Sequence, residues 1–155
     1  MKRGFSNGAE YGDGMIKRAI LILFLFVNIY SSEMRFIKLF IHDFEFNVEV
    51  AETEEQKMKG LMFRKSIPKD YGMIFIYEDE DFRAMWMKNT LIPLDLVFLN
   101  AEREVVQIIP DVPPCKNDPC ETYPSKKKAK FVLELNAGMS KRMKLKSGDI
   151  IFFIL

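Results

Sequence analysis

Trp86, Lys88, Asn89, Thr90 and Asp95 place an indole, an ammonium, an amide, a hydroxyl and a carboxylate within one short run, Trp86-Met87-Lys88-Asn89-Thr90-Leu91-Ile92-Pro93-Leu94-Asp95, whose other residues are mostly apolar. Polar groups withdrawn from water raise the free energy unless they are paired. Two chemistries fit such a run. In the first, the groups satisfy one another: Lys88 pairs with Asp95 and Asn89 braces the loop backbone. In the second, they line a cleft for a polar ligand, with the ring stacking and the ammonium hydrogen-bonding. If 84–88 is a strand, Ala84, Trp86 and Lys88 share one face and Met85 and Met87 the other. Arg64 and Tyr123 add polar handles that could join either arrangement.

Other chemistries find less support. The single histidine, His42, falls in the turn of an expected hairpin, and the chain after the leader has no Gly-x-Ser-x-Gly elbow. Glu78-Asp79-Glu80-Asp81 reads as a solvated acidic loop, because a calcium loop needs spaced oxygens and typically a glycine. Ten methionines and the Met85-Trp86-Met87 triplet raise a soft-ligand copper site. Methionines at strand spacing more often fill gaps in a core. No glycine-rich phosphate loop is present. A net charge of +1 gives no basic footprint for nucleic acid. Lys126-Lys127-Lys128 with Lys130 reads as a solvated turn, with weak contact to an anionic envelope polymer as its alternative.

These residues need elements to position them. Phe36–Ile41 and Phe44–Val50 alternate around His42-Asp43 and predict a hairpin, with Glu45, Asn47 and Glu49 on a wet face. Thr53-Glu54-Glu55-Gln56 is a capping box that opens a helix of about two turns, ended near Gly60. Strands are expected at Met73–Tyr77, Ala84–Met87, Leu94–Leu99, Val105–Ile109, Phe131–Leu135 and Asp149–Leu155. A second short helix is expected within Ala137–Lys144, and Pro110–Pro124 reads as irregular. The fold class is mainly β, bordering on α+β: a single sandwich or barrel-like domain of about eight short strands with two short helices.

The N-terminal segment reads differently. Ile16–Ser32 has a basic start at Lys17 and Arg18, an apolar stretch from Ala19 to Ile29, and small residues at Ser31 and Ser32. That is the anatomy of a secretory signal peptide, with Met15 as the expected true start and an uncleaved membrane anchor as the alternative. Residues 1–32 are therefore assigned to a leader and signal peptide, and residues 33–155 to one domain. Removing Lys2, Arg3, Lys17, Arg18, Glu10 and Asp13 with the leader leaves 19 basic and 20 acidic residues. Export makes a Cys115–Cys120 disulfide the default, and a metal site on C-x4-C lacks nearby partner ligands.

WMKNTLIPLDLVFL resembles the signature of the DUF192 family, small bacterial and archaeal domains, often exported, with no assigned reaction. Matching pieces occur in the same order: EQKMKGLMFR at 55–64, YGMIFIY at 71–77, VPPCKNDPCETY at 112–123, FVLELNAG at 131–138 and KSGD at 146–149. The resemblance implies a mainly β, sandwich-like fold and no activity. The combined reading is an exported, periplasmic or extracellular, non-catalytic binding or accessory module. It would hold a small polar ligand or envelope glycan at Trp86, Lys88, Asn89, Thr90, Asp95, Arg64 and Tyr123. No cofactor, metal or nucleic acid is expected, and the membrane is met only through an uncleaved signal segment. The alternatives are an envelope enzyme using Asp95 or Lys88, a copper carrier, and a structural partner protein.

Overall fold

Hydrophobic alternation builds most of the structure directly. In a computed structural model that describes residues 34–155, Phe36–Ile41 (β1) and Phe44–Ala51 (β2) form the expected antiparallel hairpin, turning at His42 with φ 50°. The leader, signal segment and Met15 start expected within 1–32 lie outside the described residues. Helix α1 (Glu54–Lys59) begins at the expected cap: the Thr53 hydroxyl accepts from Gln56 N at 3.2 Å and Gln56 Oε1 accepts from Thr53 N at 3.0 Å. The remaining strands are β3 (Tyr71–Asp81), β4 (Ala84–Trp86), β5 (Leu94–Leu99), β6 (Val105–Val112), β7 (Thr122–Pro124), β8 (Ala129–Asn136) and β9 (Phe152–Phe153). Helix α2 is one turn, Met139–Arg142.

Seven strands form one curled sheet in the order β6-β5-β8-β3-β2-β1-β9, and β4 and β7 make a separate two-stranded sheet. The chain is mainly β, as expected, and the curl gives half a barrel. One pairing is parallel: β2 beside β3, joined by a crossover that carries α1. The large sheet buries both faces at its centre. One core contains Val48, Val50, Ile74, Val97, Leu133 and Leu135. The other contains Ala51, Met73, Phe75, Leu96, Phe98 and Val132, packed against Leu61, Met85, Met87 and Ile92. Beyond that cover the same face runs out onto β1 and β9, where Phe36, Phe40, Phe152 and Ile154 lie exposed.

Several boundaries differ from the sequence expectation. The acidic run Glu78–Asp81 continues β3 instead of forming a loop, because Asp81 still pairs with Ala129 beyond a bulge. Thr122–Pro124 is a strand within a segment expected to be irregular, held by β4. Of the expected terminal strand, Phe152–Phe153 pair with β1, Ile150 makes a single bridge to Glu104, and Ile154 and Leu155 are exposed. Glu49 was expected on a wet face but is buried, since the turn after α1 covers β2 at that point.

The central strands approach closely at Gly72. A Cβ there would stand 2.4 Å from Glu134 O and 2.8 Å from Leu135 Cδ2. Gly72→Ala is expected to cost about 3 kcal/mol through overpacking, read as a lowered urea midpoint with an unchanged slope.

Candidate functional site

The row of residues across the sheet at Glu49, Met73, Glu134 and Leu96 sets the site. Glu49 faces Met73, Met73 faces Glu134, and Glu134 faces Leu96, so all four side chains share one face. Both acids are buried, Glu134 at 4% exposure and Glu49 at 5%. The turn after α1 brings Arg64 over this row. Its guanidinium grips Glu49 with both prongs: Nη2 donates to Oε2 at 2.7 Å and Nη1 to Oε1. The hydrogen bond from Glu49 holds the Arg64 pKa above its ordinary value, against the opposing effect of burial.

Glu134 is treated differently. Among the described residues no donor hydrogen-bonds its carboxyl, and its oxygens are not sealed in but open into a pocket. Burial pushes its pKa up to about 8, with the Arg64 charge opposing the rise. The pocket is lined by Leu61, Met62, Phe75, Met85 and Thr90, with Lys57, Met58, Lys59, Gly60 and the half-exposed Trp86 completing its wall. Its free volume is about 20 Å³, which is room for roughly one water-sized group.

The 84–90 segment forms the outer wall as the alternation predicts. Met85 and Met87 are buried, while Trp86 stands 41% exposed. The Lys88 ammonium lies 5.7 Å from the Trp86 ring centroid, within the range of a cation–π contact. Asn89 adopts a left-handed φ of 55°, and its carbonyl accepts from Phe63 N at 2.8 Å, which ties this loop to the turn that carries Arg64. Thr90 is buried and its hydroxyl donates to Lys88 O at 3.5 Å.

The seven residues singled out from the sequence are thus divided. Trp86 and Thr90 line the Glu134 pocket. Lys88 and Asn89 line a second depression with Cys115, Lys116, Asn117, Asp118 and Cys120. There Lys88 Nζ lies 3.9 Å from Asp118 Oδ1, so its expected ion pair with Asp95 does not form. Arg64 belongs to the Glu49 pair beside the pocket. Tyr123 sits on β7 opposite Met85, with its hydroxyl donating to Glu121 Oε2 at 3.4 Å.

Asp95 is in neither depression. It points to the opposite face of the sheet, fully buried, and accepts four hydrogen bonds: from Asp111 N at 2.9 Å, Gly138 N at 3.0 Å, Ser140 N at 2.7 Å and Ser140 Oγ at 2.7 Å. Its expected place in a ligand cleft is corrected here: the carboxylate instead organises the entry to α2 and the end of β6. The copper arrangement does not assemble either. His42 hydrogen-bonds Met143 O at 3.0 Å and lies 3.3 Å from Asp149, while Met85 and Met87 pack in the other core. Cys115 and Cys120 are joined to each other as a disulfide, as expected.

Glu134 and Glu49 were not among the residues singled out from the sequence. A signal for Glu134 was present: it is the one acid within the apolar run Phe131–Leu135, flanked by Leu133 and Leu135. Strands buried on both faces read as nearly continuous apolar runs, so a lone acid within one marks a buried charge.

A half-barrel sheet covered on one face by a crossover and the tryptophan-bearing strand β4 defines a mainly β domain with an acid-floored pocket. The chain belongs to the DUF192 family, described as "Uncharacterized ACR", whose pattern matches residues 37–153. It is similar to a solved Sinorhizobium meliloti 1021 protein described as a "putative transcription regulator", with 30% identity and a TM-score of 0.69, over 76% of this chain and 92% of that one. It is also similar to a protein of unknown function from Novosphingobium aromaticivorans DSM 12444, with 31% identity and a TM-score of 0.69, over 77% and 84% of the two chains. No curated protein matches it.

Proposed function

We propose that the chain is a non-catalytic binding module of the cell envelope whose ligand enters at Trp86 and reaches the Glu134 carboxyl. The observation that carries this reading is the pairing of a half-exposed tryptophan with a buried carboxyl that, among the described residues, accepts no hydrogen bond and opens into the pocket between them. Folded proteins pair their buried polar groups, and an unpaired one facing a cavity invites an external partner. Trp86 offers a flat apolar surface for the body of the ligand. The signal-like segment within 16–32 supports export.

The test is a thermal-shift screen of the full chain against glycans, peptides, amines and metal ions. A ligand raises the midpoint by mass action. Trp86→Ala is expected to abolish the shift while costing about 2 kcal/mol or less in stability, because much of the ring is already in water. A ligand that shifts the wild type and Trp86→Ala equally would place binding elsewhere. Unfolding of Trp86→Ala, with no ligand shifting the wild type, would make the tryptophan a packing residue.

A further inference from the structure

Charge balance in the buried row points to what the pocket takes. Two buried carboxyls, Glu49 and Glu134, share one guanidinium, and Arg64 gives both of its prongs to Glu49. The row is short of one positive charge if Glu134 ionises. The nearby bases do not supply it: Lys57 Nζ is engaged 2.6 Å from Glu54 and 5.0 Å from the Tyr77 ring centroid, and Lys59 is exposed at the rim. The free volume of about 20 Å³ is too small for a sugar ring and close to that of a single water or ammonium group. Lys57 and Lys59 line one side of the pocket, and Met58, Met62, Met85, Phe75 and Trp86 supply thioethers and rings that suit an alkyl chain behind a charged tip.

We propose that this pocket receives the primary ammonium group of a ligand, with the nitrogen against the Glu134 carboxylate and the alkyl body leaving past Met58 and along Trp86. The inference rests on the binding reading above and names its ligand class. An ammonium brings both the missing charge and three hydrogen-bond donors to an acid that has none among the described residues. On binding, the Glu134 carboxyl loses its proton to solvent and the ammonium keeps its own. About one proton is therefore released per ligand bound at pH 7 and below, falling to about half at pH 8. The groups facing Glu134 are Glu49 from β2, Tyr77 from β3, Lys57 and Lys59 from α1, and Arg64 from the turn that follows. Tyr77 is itself pushed up by burial, and so stays neutral through this range.

Trp86 is the single tryptophan of the chain, so its fluorescence reports on this site alone. The full chain is titrated with n-pentylammonium, n-pentanol and n-pentanoate. Saturable quenching by the ammonium is expected, at least about 30-fold tighter than by either of the others. Its affinity should rise about ninefold from pH 6 to 7 and about fivefold from pH 7 to 8, following ionisation of the acid. Glu134→Gln, checked for folding by circular dichroism, should lose that pH dependence and most of the affinity. If pentanol or pentanoate binds as tightly as the amine, or the amine binds without pH dependence, the ammonium assignment is overturned and the pocket reading stands. If none of the three alters the Trp86 signal, and the screen above finds no ligand that depends on Trp86, both readings fall together.

Discussion

Asp95→Ala is expected to lower the unfolding free energy by about 4 kcal/mol. The carboxylate accepts from three backbone amides and one hydroxyl, drawn from Asp111, Gly138 and Ser140. Removing it leaves four donors facing a fully buried site, and each unsatisfied group costs about 1–3 kcal/mol before water or local shifts relieve part of the loss. Asp95→Asn keeps one acceptor oxygen and the shape, and is expected to lose about half as much. Urea unfolding at neutral pH measures both. A midpoint for Asp95→Ala close to wild type would show that the four bonds contribute little net stability. The ammonium affinity of any folded Asp95 variant should be unchanged, because the carboxylate points away from the pocket.

Glu134→Gln is expected to act in the opposite direction and to do so according to pH. The native carboxyl titrates at about 8 and the ordinary value is 4.5. Between these values the native chain holds a proton that the unfolded chain has released, so wild-type stability falls as pH rises, by about 1.4 kcal/mol per unit. Below 4.5 both states are protonated and above 8 both are ionised, so the decline is confined to that window. Glutamine has no such proton. The variant should match the wild type near pH 4 and exceed it by several kcal/mol at pH 8, with a plateau beyond. Unfolding in urea across pH 4 to 9 provides the comparison. A difference between the two proteins that does not change with pH would mean that Glu134 is already ionised in the native chain. Saturating ammonium ligand should flatten the wild-type decline, since the bound state has given up the same proton.

What the sequence discloses here depends on whether the partners of a residue are near it in the chain. The β1–β2 hairpin and the Thr53 cap are local, and alternation with a capping box is enough to place them. The outward Trp86 and inward Met85 and Met87 follow from the same period-two rule. Asp95 is the opposite case. Its partners at Gly138 and Ser140 lie 43 and 45 residues away, so nothing near it in the sequence separates a ligand-facing acid from one that braces a turn. Glu49 alternates with valines and reads as solvent-facing until Arg64, 15 residues later, folds over it. Glu134 carries the site yet shares its strand with residues that belong to two different cores. Only the register of β3 and β8 brings it opposite Met73 and beside Glu49. Short strands such as β7, three residues ending in proline, lack the length to show a period at all.

The placement of β9 beside β1 has a mechanical consequence. Phe152 pairs with Phe40 and Phe153 with Leu39, antiparallel, so the start of β1 and the end of β9 leave the sheet edge on the same side. Tension applied between residues 34 and 155 therefore loads that pairing as a zipper, one bond after another, and does not shear all bonds at once. With only two residues in register, β9 should peel away at low force. The Arg103 guanidinium, which donates to Phe153 O at 2.7 Å and lies 4.6 Å from the Phe153 ring centroid, is the clasp that must open first. A domain tethered at one end and pulled from the other would yield at this edge while the strands that hold Glu134, β3 and β8 at the middle of the sheet, stayed paired.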